Sequence, residues 1–209
     1  MSIAEKLTTI AENQQAVYDA GKDKEWNTFW DNYQKKGAKL NYTQAFYSNK
    51  WNDKNYKPKY PIICSSCSSM FNSSEITDTM VDIDISACSG AQYLFGYCTR
   101  LETVRKLIVS ENVSYADSFA SCRALKNIRF EGTIGKSIDF SSCPLTVESM
   151  IDVIRNLEHY RDTENAGKYT VKFSDSCWQA LENSGHNVNE YIPDVTSWSD
   201  GVIYKGWNI

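Results

Sequence analysis

Residues 94–128 read LFGYCTRLETVRKLIVSENVSYADSFASCRALKNI and contain one pattern twice. Four apolar positions at intervals of three recur after 24 residues: Phe95, Cys98, Leu101 and Val104, then Phe119, Cys122, Leu125 and Ile128. A fixed period of roughly 20–50 residues is typical of solenoids, in which each coil buries its apolar side against the next one. We therefore expect Phe95 to lie directly over Phe119, about 4.8 Å away along the stack.

The same period extends in both directions from these two copies. Phe71 begins an earlier copy, and a shortened copy begins at Phe140 and stops at Pro144. The sequence thus predicts about three and a half repeats of period 24 over residues 71–145. The predicted repeat core consists of Phe71, Phe95, Cys98, Leu101, Phe119, Cys122, Leu125, Phe140 and Cys143. Packing in a tight turn accounts for the recurring cysteines and requires no chemistry.

The pattern F-x-x-C-x-x-L-x-x-[VI] resembles the leucine-rich repeats of the bacterial surface-antigen (BspA-like) type. The flanking LTTIAENQQAVYDAGK, FWDNYQ, KPKYPI and KGWNI are similar to a set of prophage-encoded proteins of gut Firmicutes. The resemblance implies an α/β solenoid, namely a short leucine-rich-repeat stack with N-terminal helices and an α+β C-terminal cap. It also implies a product associated with a phage tail or baseplate, without identifying a ligand.

Two segments precede the repeats. Residues 1–36 are predicted to be helical, and Ile3, Leu7, Ile10, Gln14 and Val17 have the spacing of a short coiled coil. That spacing suggests a homo-oligomer formed through the first helix; the alternative is an amphipathic helix packed on its own domain. Residues 37–70 are rich in aromatic side chains and are predicted to form an N-terminal cap over the open end of the stack.

The repeats are followed by predicted helix and strand elements over residues 146–209. Thr146 is a suitable N-cap, and Glu148 lies in the first turn, where the helix dipole favours a negative charge. YTVKF, at 169–173, alternates as a strand does, and Ser174 is placed to begin another short helix. Terminal repeats need a partly polar lid, and we expect this segment to provide it.

Composition limits the classes of function. The formal net charge is −4, and the sequence contains no basic block, so phosphate contacts to nucleic acid are not expected. No apolar run approaches the roughly 18 residues that span a bilayer, and the polar N-terminus does not resemble a signal peptide. We expect a protein that is made in the cytoplasm and is then virion-associated or released by lysis.

The sequence shows no arrangement typical of an enzyme, and no cofactor is predicted. Cys64-x-x-Cys67 could be half of a metal site or a redox pair, but no second ligand pair follows, and buried thiols are the alternative. His159 and His186 lie outside any motif and are interpreted as surface residues. Asp82 and Asp84 could bind calcium or act as acids, although their alternation with apolar neighbours is typical of a half-buried strand.

Two surfaces remain as candidates for ligand binding. One is a modest basic set on the predicted strands, Arg105, Lys106, Lys126 and Arg129, which could meet an acidic protein or glycan. The other is the aromatic segment 26–60, where Trp26, Trp30, Tyr42, Tyr47 and Trp51 could stack on sugars. The sequence therefore favours a non-catalytic module that binds a protein or host-surface ligand through its repeats; the alternative is a carbohydrate-binding module.

Overall fold

The computed structural model describes residues 28–159 and 163–186, together with Lys6, Thr8, Thr9, Glu12, 203–204 and 207–208. The four separate N-terminal residues have helical backbone and exposed side chains. The predicted coiled-coil positions and Trp26 lie outside the described residues. Within the described part of the chain, no helix is long and apolar enough to cross a membrane.

The chain forms a parallel-strand solenoid of about four turns. Its five-stranded sheet has the order β1-β2-β3-β4-β5. The strands span Lys39–Asn41, Ile62–Ser66, Ile83–Asp84, Thr103–Val109 and Asn127–Gly132. Strand β1 pairs Leu40 with Cys64, and β4 pairs Val104 with Ile128, both 24 residues apart. Strand β2 pairs Ile62 with Ile83, which is a shorter interval of 21 residues. The solvent side of β3–β5 is called the sheet face.

The opposite side of each coil is a series of tight turns rather than a strand. Residues 44–48, 68–73, 92–97 and 116–121 stack here, and their exposed side chains form the turn face. Alternate N–H groups donate to the next coil, as Phe71 does to the carbonyl oxygen of Leu94 at 2.8 Å. The intervening N–H groups close turns within one coil, as Leu94 does to Ala91 at 2.9 Å.

The backbone of the turn face is strained at repeating positions. The second residue before and after Phe46, Phe71, Phe95 and Phe119 has a positive φ, and none of these residues is glycine. They are Gln44, Ser48, Ser69, Ser73, Tyr93, Tyr97, Asp117 and Ser121. The left-handed conformation costs a non-glycine residue about 1–2 kcal/mol, so the stacked turns are maintained by the hydrogen bonds and packing around them.

A ladder of phenylalanine rings fills the interior. Ring centroids are 5.3 Å apart for Phe71 and Phe95 and 5.7 Å for Phe95 and Phe119, and both pairs are stacked. This confirms the predicted overlay of identical side chains. The ladder also extends beyond residues 71–145, because Phe46 lies 5.1 Å from Phe71 and Phe173 lies 5.9 Å from Phe140.

The recurring cysteines have a specific role in this interior. The Sγ atom of Cys98 donates to the carbonyl oxygen of Phe71 at 2.9 Å, and Cys122 donates to Phe95 at 3.0 Å. Cys143 reaches the Phe119 carbonyl at a longer 3.7 Å. A small side chain with a donor therefore links each of these coils to the phenylalanine of the preceding one. Serine stands at the equivalent position in the coil of Phe71, where the Ser74 hydroxyl lies 3.5 Å from Cys98 Sγ.

Helix α1 (Thr28–Lys35) precedes the sheet, and several elements follow it. Strand β6 (Ile138–Phe140) pairs in parallel with β7 (Val171–Phe173), and β8 (Ile203–Tyr204) pairs antiparallel with β9 (Trp207–Asn208). Helix α2 (Val147–Arg155) begins at the N-cap Thr146, and helix α3 (Asp175–Asn183) begins at the N-cap Ser174, as the sequence predicts.

Side chains of α2 complete the hydrogen bonding of the last strand in the sheet. The N–H group of Ile128 donates to Ser149 Oγ at 3.0 Å, and that of Phe130 donates to Asp152 Oδ2 at 2.6 Å. Exposed strand edges are templates for unwanted pairing. The helix therefore occupies the edge of β5 and supplies the acceptors that a further strand would have provided.

Candidate functional site

The sheet face contains the basic residues that the sequence singles out, but they are not equivalent. The Lys106 ammonium lies 2.9 Å from Glu131 and 3.4 Å from Asp82, one carboxylate on each side. The hydrogen bond with Glu131 and the nearby charge of Asp82 raise the pKa of Lys106. The positive charge of Lys106 is therefore balanced by two carboxylates of the sheet face. Lys106 is less suited to bind an anionic ligand than Arg105 and Arg129 are.

Two arginines on this face are directed towards a groove. Arg105 on β4 and Arg129 on β5 are both exposed, and they line a groove of about 490 Å³ beside α2. Arg105 donates to the carbonyl oxygen of Met80 at 2.6 Å, which fixes one of its nitrogens. The guanidinium of Arg129 forms no ion pair or hydrogen bond with the described residues. Lys126 is exposed just before β5 and does not line the groove.

Helix α2 forms the other wall of the groove. Arg155 adds a third arginine, and Glu148 and Asp152 add carboxylates. Asp152 accepts the Phe130 N–H, so part of its capacity as an acceptor is already used. Arginine donors in a fixed fork suit carboxylate and phosphate oxygens. The groove can therefore bind an anionic group by charge-assisted hydrogen bonds.

The aromatic segment does not form the surface that the sequence suggested. Trp30, Tyr42 and Trp51 are fully buried, so these three assignments as sugar-stacking residues are wrong. Trp30 packs on Tyr42 and Phe46 at ring-centroid distances of 5.5 and 5.1 Å, where the phenylalanine ladder begins. Burying the rings removes apolar area from water at this end of the stack. Tyr47 is the exception, with 43% exposure.

The thiols are also structural. All seven cysteines are buried and unpaired by disulfides, so Cys64 and Cys67 do not form one in this structure. Burial raises the pKa of the Cys64 thiol and raises that of Cys98 to about 12. A protonated, buried thiol is a poor nucleophile and a poor metal ligand. Among the described residues, no three His, Cys, Asp or Glu side chains cluster as metal ligands would.

The remaining titratable residues are dispersed. His159 and His186 are exposed. Asp84 Oδ1 accepts from the N–H and hydroxyl of Ser86 at 2.9 and 2.6 Å, which is a local turn contact. Asp82 faces Lys106. These contacts assign Asp82 and Asp84 to the sheet surface and do not bring them together as a pair of catalytic acids.

The structure also exposes residues that sequence reasoning missed. Tyr93 and Tyr97 are 38% and 53% exposed on the turn face. Each stands two residues from the ladder phenylalanine Phe95, and serine or another polar residue occupies the same place in other coils. Arg155 was missed because the groove joins a helix to strands distant in sequence. Its spacing from Glu148 and Asp152, seven and three residues, places all three on one side of a helix.

Comparisons with known proteins identify no relative: no family model matches the chain, and no curated protein or solved structure does so either.

Proposed function

We propose that the chain is a non-catalytic recognition module that binds a protein or host-surface ligand through the sheet face and its groove. The observation that carries the proposal is the placement of Arg105 and Arg129 in one groove on the adjacent strands β4 and β5, where Arg129 forms no ion pair or hydrogen bond with the described residues. Solenoids present rigid, extended surfaces suited to such binding. The preferred ligand has carboxylate or phosphate groups, because these match the arginine donors.

The sequence resemblance adds detail to this proposal. Residues 71–145 would be leucine-rich repeats of the BspA-like type, and residues 146–209 would be their α+β cap. The acceptors that Ser149 and Asp152 offer to β5 support a capping role for α2. The module would be an appendage of a phage tail, displayed in several copies through residues 1–36. Light scattering tests this last point, since a strictly monomeric full-length chain at high concentration contradicts it.

Binding to an acidic probe tests the groove. Fluorescence anisotropy with a labelled hexaglutamate peptide, at low and at physiological salt, would measure affinity for carboxylates. We expect Arg105→Ala and Arg129→Ala each to weaken binding about fivefold, in line with about 1 kcal/mol per charged contact. Arg123→Ala is the matched control, because Arg123 is exposed, lies outside the groove and removes the same charge. Equal losses in all three variants, or no binding, would contradict the proposal.

A further inference from the structure

Three tyrosines on the turn face are the large hydrophobic side chains that the described residues expose most. Tyr47 lies on the coil of Phe46, and Tyr93 and Tyr97 lie on the coil of Phe95, with one coil between them. Two coil spacings of about 4.8 Å separate the rings by about 10 Å along the stack. The intervening coil offers only short polar side chains at the surface: Ser68, Ser69, Asn72 and Ser73.

Packing in the interior does not account for Tyr93 and Tyr97, because both side chains are exposed. Both have left-handed backbone, with φ of 54° and 61°, a conformation in which a bulky aromatic residue is a genuine outlier. Serine occupies both equivalent positions in the preceding coil, at Ser69 and Ser73, with the same backbone. Strained residues that contribute little to the interior are characteristic of binding surfaces.

Tyr93 is also held in place. The Asp117 carboxylate of the next coil interacts with its hydroxyl and raises the pKa of the tyrosine. Its ring lies across Gly96, where an added Cβ would come within 3.0 Å of Tyr93 Cδ1 and 3.2 Å of the Asp117 carbonyl oxygen. Ser68 Oγ donates to Gln92 Oε1 at 3.0 Å beside it. The ring and its polar neighbours are therefore fixed before any ligand arrives, which lowers the entropic cost of binding.

The charge of the turn face differs from that of the sheet face. Its four segments, 44–48, 68–73, 92–97 and 116–121, contain no lysine or arginine, and Asp117 is their one acidic residue. Exposed aliphatic side chains larger than alanine are also absent from these described segments. Protein interfaces are enriched in arginine, methionine, tryptophan and phenylalanine as well as tyrosine. Of these residue types the described turn face exposes only tyrosine, so it lacks the other anchors that accompany tyrosine at protein interfaces.

We propose that the turn face binds an uncharged polysaccharide that runs along the stack. Tyrosine rings offer an apolar face to the C–H groups of a pyranose ring and a polar hydroxyl at their edge. Serine, asparagine and glutamine side chains supply both donors and acceptors, as sugar hydroxyls require. Tyr47 and the Tyr93–Tyr97 pair are separated by roughly the length of two linked sugar rings. This site shares no residue with the groove and does not depend on the proposed function.

Affinity electrophoresis of the full chain tests this site, with hydroxyethyl cellulose, laminarin, mannan or soluble starch in the gel. We expect at least one of these polysaccharides to retard the protein, and Tyr93→Ser and Tyr97→Ser each to weaken binding at least fivefold. Both substitutions restore the residue that the preceding coil carries there, so these variants should fold at least as well as the parent. Tyr60→Ser, which changes a half-buried tyrosine outside the turn face, is the matched control.

The outcomes distinguish polysaccharide binding at the turn face from anion binding in the groove. Arg105→Ala and Arg129→Ala should leave retardation by polysaccharide unchanged. Retardation by none of the four polymers would overturn the turn-face site, as would binding that survives both tyrosine substitutions. Specific capture of a protein by this face, lost in Tyr97→Ser, would also overturn it. Binding of hexaglutamate should be unaffected by either tyrosine variant.

Discussion

Lys106 and Tyr93 show how the two faces of the solenoid differ. Lys106, on the sheet face, is a charged side chain held by the carboxylates of Asp82 and Glu131. Tyr93, on the turn face, is a rigid ring packed across Gly96. The same 24-residue coil thus produces a charged surface on one side and an uncharged aromatic surface on the other, because strand and turn backbones present side chains differently.

The largest effect on stability is expected from a substitution in the interior that both faces share. Phe95→Ala takes one ring out of the middle of the ladder, between Phe71 and Phe119, and leaves a cavity. We expect the free energy of unfolding to fall by about 3–5 kcal/mol. Urea denaturation measures the loss, and Phe95→Leu, which retains most of the volume, should cost clearly less. A loss below 1 kcal/mol would contradict a continuous ladder.

A second substitution tests whether the strand side and the turn side of the solenoid open independently. Asp152→Ala leaves the Phe130 N–H without its acceptor, and an unsatisfied buried donor costs about 1–3 kcal/mol. Asp152→Asn retains an acceptor oxygen and should be closer to the parent. Hydrogen exchange should accelerate at the Phe130 amide and remain slow at the Phe95 amide on the turn face. Equal acceleration at both amides would show that the two sides do not open independently.

The buried thiols predict a dependence on alkaline pH. The pKa values of Cys64 and Cys98 are raised by burial, so above the ordinary thiol pKa of about 8.5 the unfolded chain loses protons that the folded chain keeps. Stability is unaffected below that pH and falls as pH rises from there towards about 12, the pKa of Cys98. Each such thiol lowers the free energy of unfolding by at most about 1.4 kcal/mol per pH unit over this range.

Replacing one thiol by serine tests the predicted fall of stability with rising pH. Cys98→Ser retains a donor of the kind found at Ser74 and removes one titrating group, so its stability should fall less steeply between pH 8.5 and pH 10. Urea denaturation in the presence of a reductant provides the measurement. An unchanged slope, or a stability that rises with pH over this range, would contradict the assignment.

The smallest effect on stability is expected from relieving backbone strain at one position of the turn face. Asparagine tolerates left-handed backbone better than tyrosine does, and Tyr97 has φ of 61°. We expect Tyr97→Asn to raise the free energy of unfolding by about 0.5 kcal/mol. Thermal denaturation, compared with Tyr60→Asn, would detect the change. A destabilised Tyr97→Asn protein would mean that the exposed ring contributes to folding after all.

The sequence predicted the interior better than the surfaces. The repeat of Phe95 and Phe119 identifies the stack, because the same residues at a fixed interval occupy the same position in successive coils. Thr146 and Ser174 identify the starts of two helices, because an N-cap depends only on local hydrogen bonds. The start of the ladder at Phe46 was hidden, because the bulky aromatics around it suggested a separate cap. Its continuation at Phe173 was hidden as well, because α2 lengthens the interval from Phe140 to 33 residues.

Surface geometry depends on contacts that no local pattern encodes. Trp30 and Trp51 were expected at the surface, but they pack with Phe46 where the ladder begins. Tyr93 and Tyr97 are exposed on turns with left-handed backbone, and a sequence does not reveal φ at a non-glycine position. The groove required α2 to lie along β5, a placement set by Ser149 and Asp152.

The direction of the turn-face hydrogen bonds has an electrostatic consequence. All nine N–H groups that bond between the coils of residues 44–48, 68–73, 92–97 and 116–121 donate towards the later coil. Strand dipoles nearly cancel in a sheet, whereas these peptide units add, as they do in a helix. The turn face therefore has a macrodipole along the stack, with its positive end near the unbonded N–H groups of Asp117, Phe119 and Ser121 in the described chain. A chain-like ligand lying along it meets a polar axis, and its two possible directions of binding differ in energy.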